Sequence, residues 1–287
     1  MSNCPICSSS DVFLLYPDTL QNDTPAFDYN FSPSHKRTYE IIKCRVCGHA
    51  FCVLPKPDIW KNYQSVIDDA YLSRQEERVL TFNKVANIIR GYISGGKLLD
   101  VGCATGDFLL ACQQHYQVEG LELSDWSAQI AEQRGFNIHK KRLSEMQKGD
   151  AYDVISLWGV IEHFEDPSFE LKQIYRILKK GGVVCLWTGD IDSLPSKLLG
   201  KQWWYIQGQH VQLFSKKSLR HLFNQSGFSE EKIGIYPYTT NFQFMYRSLG
   251  RYPVLQKLVK PILQNKLTLN KTIKLSLPGE MFAIFRK

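Results

Sequence analysis

The 287-residue sequence predicts an α/β fold: a mainly parallel sheet with helices on both faces and an antiparallel last strand, preceded by a small cysteine-rich module. Three observations carry this expectation. From Lys97 onward, strand-like and helix-like patterns alternate, which is the signature of a parallel sheet covered on both sides. A glycine turn, Gly102 to Gly106, follows the first of these strands. Two Cys-x-x-Cys pairs, Cys4/Cys7 and Cys44/Cys47, lie ahead of the alternating region.

Taken in order, residues 1–54 are rich in Cys, Pro, Asp and Ser and hold only short β-like runs, Val12 to Tyr16 and Tyr39 to Lys43. Leu54-Pro55-Lys56-Pro57-Asp58 reads as a linker, and Val79, Phe82, Val85, Ala86 and Ile89 recur at helical spacing. Strands are expected at 97–102, 117–122, 136–139, 152–158 and 182–188. The helix after the fourth is delimited by Asp166 as cap, Pro167 in first position, and Lys179-Lys180 with Gly181-Gly182 at its close. A further helix runs from Ser215 to near Gly227; then come a strand at 232–238, a basic amphipathic stretch at about 241–268, and a last strand, Glu280 to Phe285. The expected division is 1–54 for the module, 55–96 for linker and helix, and 97–287 for the main domain, with 190–214 and 239–274 as acceptor-side insertions.

Composition narrows the classes. At 44% apolar and 22% charged, the chain can bury one large core plus a small module. It has no apolar run of about 18 residues, and Met1-Ser2-Asn3-Cys4-Pro5 lacks the pattern of a secretory signal. A cytoplasmic protein is therefore expected, and eight cysteines in pairs or apolar segments do not form a disulfide framework. The net charge of +7 is concentrated: from Gly234 to the end, nine Lys/Arg face one acid, Glu280, leaving the first 233 residues at −1. A nucleic-acid partner is thus not read from the overall charge. The basic C-terminal segment is instead expected to cap the acceptor pocket, or to touch an anionic acceptor or a peripheral membrane surface.

Lys97 to Asp107 reads strand, glycine turn, helix, with Glu122 twenty residues after Gly102, placed to accept from a ribose diol. A dinucleotide site shares both features, but its pyrophosphate fingerprint needs glycines where Ala104 and Asp107 stand. Asp100 at the strand end would repel a pyrophosphate and suit an ammonium group. Leu98-Leu99-Asp100-Val101-Gly102-Cys103-Ala104-Thr105-Gly106 resembles motif I of the class I S-adenosylmethionine-dependent methyltransferases, with Ala104 as a departure from the usual middle glycine. Val118-Glu119-Gly120-Leu121-Glu122-Leu123-Ser124 resembles that family's second strand with its ribose-binding acid. Tyr152 to Trp158, Val160-Ile161-Glu162-His163 and Asp166-Pro167 resemble its fourth-strand segment, and Leu178-Lys179-Lys180-Gly181-Gly182 its turn into strand five. The resemblance implies a Rossmann-like sheet and S-adenosyl-L-methionine as cofactor. It implies Asp100, Gly102, Cys103, Ala104, Gly106, Glu122, Leu123 and Trp158 as cofactor residues. Lys140-Lys141-Arg142-Leu143-Ser144 lacks the family's usual acid after strand three, so a backbone amide near Leu143 is expected to meet adenine.

Cys4, Cys7, Cys44 and Cys47 have the spacing of two zinc knuckles, and two such pairs make a closed, structural zinc site. His49 and Cys52 are spare donors nearby. A module of about fifty residues with few apolar runs needs the folding free energy that a metal supplies. The segment resembles the zinc-ribbon module fused ahead of a bacterial group of glycan and secondary-metabolite methyltransferases, a likeness that extends through Asp69-Ala70-Tyr71.

The acceptor belongs beyond the carboxyl ends of the strands. His163, after strand four, and His210, in the long connection 190–214, are the candidate catalytic residues, as bases or as groups facing the methyl donor. The bland reading of His163 is a structural histidine. Trp203-Trp204-Tyr205 form either an acceptor wall or a plug of the core. Amino-methylation of adenine or cytosine is disfavoured because Ser156-Leu157-Trp158-Gly159 replaces the Asn/Asp-Pro-Pro-aromatic signature. O-methylation of a small molecule or glycan intermediate is expected. The alternatives are an RNA- or protein-directed methyltransferase and a non-catalytic zinc- and cofactor-binding scaffold.

Overall fold

A computed structural model describes residues 3–21, 23, 25, 36–53, 63–146, 149–265 and 272–287, without the side chains of Ala70, Phe244, Ser248, Arg251, Thr272, Lys274, Leu275 and Leu277. The expected linker at 54–58 lies outside these residues.

The chain opens with β1 (Val12–Tyr16), β2 (Ile41–Cys44) and β3 (Ala50–Cys52), then α1 (Asp69–Leu72) and α2 (Gln75–Arg90). The alternating region follows: β4 (Gly96–Val101), α3 (Asp107–Cys112), β5 (Tyr116–Leu121), α4 (Asp125–Gln133), β6 (Asn137–His139), β7 (Tyr152–Trp158), α5 (Pro167–Ile177) and β8 (Leu178–Gly189). The last part comprises α6 (Leu194–Leu199), β9 (Gln212–Leu213), α7 (Lys216–Gln225), β10 (Ser229–Asn241), α8 (Phe242–Ser248), α9 (Pro253–Leu263) and β11 (Thr272–Arg286).

Seven strands form the main sheet in the order β10-β11-β8-β7-β4-β5-β6. Strand β11 alone runs against its neighbours, antiparallel to both β8 and β10, as expected of the last strand. The sheet is buried on both faces, so its strands are nearly continuous apolar runs. Val85, Ile89, Phe108 and Leu109 of α2 and α3 pack with Leu98, Val154 and Ile284 on one side. Leu171 and Ile174 of α5 and Leu219 and Phe223 of α7 pack with Leu99, Ile155 and Phe285 on the other. Each such side chain, fully buried, contributes about 1.5–3 kcal/mol.

Local signals set the helix starts. Asp166 accepts from the Phe169 amide at 2.9 Å, with Pro167 in the first turn, and Ser215 and Ser218 cap α7 reciprocally. The end of α5 differs from the expectation: it stops at Ile177, and Leu178 to Lys180 already belong to β8. Leu178 is extended and fully buried, paired with Tyr152. Burial of that leucine in the sheet outweighs the helix propensity of the lysines after it. Strands β10 and β11 are also longer than expected. They continue past the sheet as a paired arm, Pro237↔Ser276 to Asn241↔Thr272, that carries α8 and α9 between its strands.

The cysteine-rich segment does not stand apart. Its antiparallel sheet has the order β1-β2-β3-β9, and β9 comes from the 190–214 connection. Trp203, Tyr205 and Leu213 of that connection share a core with Ile41 and Ala50. None of the eight cysteines is in a disulfide. Among the described residues, no helix is long and apolar enough to cross a membrane.

Candidate active site and metal centre

Strand β4 lies between β5 and β7, so the chain leaves in opposite directions on its two sides, and a crevice opens at its carboxyl end. The turn there is left-handed at Gly102 (φ +68°), Ala104 (φ +47°) and Gly106 (φ +84°). A Cβ at Gly102 would come within 2.7 Å of Val160 Cγ2, so only glycine fits. Ala104 holds without glycine's freedom the conformation where the family usually has glycine, at a cost of about 1 kcal/mol. Its amide is fixed by donating to Glu122 Oε2 at 2.8 Å.

Glu122 is buried and also accepts from the amides of Leu123 and Ser124, both at 2.8 Å, and from the Tyr63 hydroxyl. Those contacts use the lone pairs of the carboxylate, so a ribose hydroxyl reaching Glu122 would compete with Tyr63. Asp100 is buried, and Ser156 Oγ donates to it at 2.7 Å. Burial pushes its carboxyl up to about 8, against the Ser156 hydrogen bond. Cys103 is buried beside Gly120 of β5. Trp158 packs its ring 4.8 Å from Phe108 and stacks on Phe282 at 6.2 Å. Its buried Nε1 has no hydrogen-bond partner among the described residues.

Asp107, standing where a dinucleotide loop needs glycine, is a structural anchor. It accepts from Arg78 Nε at 2.7 Å and Arg134 Nη1 at 2.8 Å. Arg134 also donates to the Thr105 carbonyl at 2.6 Å, and Arg78 lies 3.6 Å over the Tyr71 ring. Two helices are thereby tied to the turn. Sequence reasoning missed both arginines, since nothing in their spacing points to Asp107.

Across the crevice, the structure brings His163 and His210 together, their rings 5.0 Å apart and edge to face. His163 Nδ1 donates to the Gln209 carbonyl and His210 Nδ1 to the Tyr205 carbonyl, each at 2.8 Å. His163 also meets the backbone of Gly159, and burial pulls it down to about 4. It is neutral at physiological pH and a weak base. Glu162, quoted in the motif but not singled out as chemistry, is a further titratable group beside the two histidines. It is fully buried and accepts from the Tyr205 hydroxyl and, at 3.0 Å, from Thr188 Oγ1. Burial lifts its carboxyl to about 7, against both hydrogen bonds. The only sequence signal for it was its place beside His163.

The aromatic triplet divides its roles. Trp203 is a buried plug, Tyr205 reaches Glu162, and Trp204 donates its indole proton to Glu280 at 2.9 Å. Glu280 also accepts from Trp187 at 3.0 Å, and burial raises its carboxyl above the usual range. The Trp187 ring lies 5.3 Å from Tyr236. This region therefore combines packed aromatic rings with two buried carboxyl groups.

The four cysteines meet. Cys4 and Cys47 Sγ are 3.5 Å apart, Cys7 and Cys44 Sγ are 3.6 Å apart, and all four sulfurs lie within 4.8 Å of one another. A tetrahedral zinc with bonds of about 2.3 Å needs sulfurs about 3.8 Å apart, so the donor set fits that ion. The spare donors are elsewhere. Buried His49 hydrogen-bonds Gln212 at 2.8 Å, and Cys52 Sγ lies 3.8 Å from the His210 carbonyl. Glu162, His163 and His210 also offer donor atoms within 4.8 Å of one another, and the histidines' Nδ1 bonds to backbone carbonyls leave Nε2 as the ring atom for any ligand.

The family described as "Methyltransferase domain" matches residues 75–232, more than half of the chain. A demethylmenaquinone methyltransferase of Anoxybacillus flavithermus is 26% identical over 169 residues, covering 54% of this chain and 70% of that protein. A 2-methyl-6-phytyl-1,4-hydroquinone methyltransferase of rice is 33% identical over 103 residues, covering 33% of this chain and 31% of that protein. The crystal structure of a SAM-dependent methyltransferase from Archaeoglobus fulgidus has a TM-score of 0.53 at 20% identity, covering 77% of this chain and 100% of the other. Matched over the crevice and the strands that build it, the chain belongs to the methyltransferase-domain family and is an S-adenosylmethionine-dependent methyltransferase of the class I fold.

Proposed function

We propose that this enzyme methylates a hydroxyl oxygen of a small ring-bearing molecule, with Glu162 as the base. S-adenosylmethionine, when bound, supplies an electrophilic methyl group on a sulfonium. The residues that would hold it are Asp100, Gly102, Cys103, Ala104, Gly106, Glu122 and Leu123, with the unpaired indole Nε1 of Trp158 as a further donor. The chain's own task is to align the acceptor, exclude water and take one proton. The observation that carries this reading is the Glu162 carboxyl, buried just after β7 and held by the hydroxyls of Tyr205 and Thr188, with burial lifting it toward 7. His163 and His210, fixed through Nδ1 by backbone carbonyls, act as positioning groups.

The rings of Trp187 and Tyr236 suit a flat acceptor, and buried Glu162 and Glu280 suit one that brings hydroxyl donors rather than negative charge. Quinol-type and glycan-type molecules both meet that description, and the names of the relatives, which give a quinone-type ring and not the atom methylated, favour the former as the acceptor class. We propose also that Cys4, Cys7, Cys44 and Cys47 hold one structural zinc.

Incubating the enzyme with a methyl-labelled cofactor and cell extract tests the acceptor class. Label is expected in the small-molecule fraction, as a methyl ether on oxygen, and not with Glu162→Gln. Label confined to RNA or protein, or cofactor binding with no labelled product, would contradict the reading.

A further inference from the structure

Helix α9 turns an apolar face to solvent. Val254, Leu258 and Ile262, spaced by four residues, are 77%, 71% and 67% exposed. Its opposite face meets the protein through Gln256, Val259 and buried Leu263. Helix α6 does the same on a smaller scale, with Leu194 67% and Leu198 76% exposed. The two helices border one open cleft of about 730 Å³, lined by Leu199, Trp204, Tyr252, Leu255 and Leu258. The cleft joins Leu199 of α6 to Val254, Leu255 and Leu258 of α9, so the exposed apolar side chains of these helices are not the scattered single residues of an ordinary surface.

Charge says what covers the face. Exposed Lys257 and Lys260 flank the apolar stripe of α9, exposed Lys197 and Lys201 flank that of α6, and Arg247 of α8 is exposed nearby. The acids on this side are already engaged. Glu280 is buried against two indoles, Asp192 is paired with Lys43 at 2.6 Å, and Asp190 lies 3.9 Å from Lys216. An apolar stripe rimmed by cations, with no opposing free acid among the described residues, is complementary to an anionic lipid surface, where leucines enter the acyl boundary and lysines meet the headgroups. A second copy of the chain would set these lysines against themselves.

We propose that α6 and α9 form a peripheral docking surface for an anionic bilayer, holding the cleft at the lipid boundary. The proposal goes beyond the assignment of the reaction, and its test reads lipid binding rather than methyl transfer. Full-length protein would be sedimented with vesicles of phosphatidylcholine alone, or mixed with phosphatidylglycerol. The wild type is expected to pellet with the mixed vesicles about tenfold more than with the neutral ones, and to be released by high salt. Leu198→Glu combined with Leu258→Glu should reduce binding about tenfold or more, as should Lys257→Glu combined with Lys260→Glu. Both variants should keep the wild-type melting temperature and cofactor affinity, because the replaced side chains are exposed. Absence of wild-type binding to the mixed vesicles would overturn the proposal, as would equal binding by the leucine variant. A dimer in light scattering that the leucine variant abolishes, without vesicle binding, would assign the face to a second copy instead.

Discussion

Removing the metal, by a strong chelator or by Cys44→Ser, is expected to unfold the small sheet and to lower methyl transfer by about tenfold or more. Cys4 and Cys7 come from one turn, Cys44 from the end of β2 and Cys47 from the turn before β3, so one ion bound by all four would close both ends of the module. Structural zinc binding in finger peptides is worth about 10–16 kcal/mol, comparable with the whole stability of a domain, about 5–15 kcal/mol. The effect should reach the active site through β9. Strand β3 pairs with it at Ala50↔Leu213, and His49 is hydrogen-bonded to Gln212. Gln212 in turn donates to the Phe164 carbonyl at 3.0 Å, next to the turn that carries Glu162 and His163. The cofactor crevice lies on other strands, so cofactor affinity should stay within about twofold, well under 1 kcal/mol. Metal analysis, limited proteolysis and calorimetry on the same sample check all three outcomes. A purified protein that holds no metal and melts unchanged after chelation would refute the zinc assignment.

Glu162→Gln should lower turnover by about 10²–10⁴-fold with little change in cofactor affinity. The amide keeps the shape and a hydrogen-bond acceptor for Tyr205 or Thr188, but cannot take a proton. In the wild type the rate should rise with pH through about 7, as Glu162 loses its proton. Tyr205→Phe removes a hydrogen bond that favours the carboxylate, so it should move that limb to higher pH. Stability runs the other way. The folded value lies above the ordinary 4.5, so the stability that Glu162 contributes is present below about 4.5 and lost as pH rises toward 7. Glu162→Gln should therefore be more stable than wild type at pH 8, by on the order of 1–3 kcal/mol. An enzyme made more stable and inactive by one substitution is the expected signature of a strained acid–base group.

Much of this site was legible because its chemistry is local in the chain. The turn from Asp100 to Gly106, the acid twenty residues later and the two cysteine pairs depend on spacing, and spacing is what a sequence displays. The capped start of α5 was legible for the same reason, in Asp166 and Pro167. Features set by burial were not. Glu162 and His163 are neighbours in the chain, yet only folding decides which is poised near neutral pH and which is tied to backbone carbonyls. The pairing of β3 with β9 joins residues more than 150 positions apart, and two-residue β9 has no pattern of its own. The Arg78–Asp107–Arg134 network and the early end of α5 are likewise decisions of tertiary packing. So is the outward face of α9, in a stretch that the sequence shows only as basic and amphipathic.

Calorimetric titration of S-adenosylmethionine into the wild type and into a variant carrying Asp100→Ala and Glu122→Ala bears most directly on the central claim. The double variant, shown to be folded by circular dichroism, should bind at least about a hundredfold more weakly, roughly 2.7 kcal/mol. Equal affinity in the two proteins would contradict the placement of the cofactor at the end of β4, and with it the account of the active site built around that crevice.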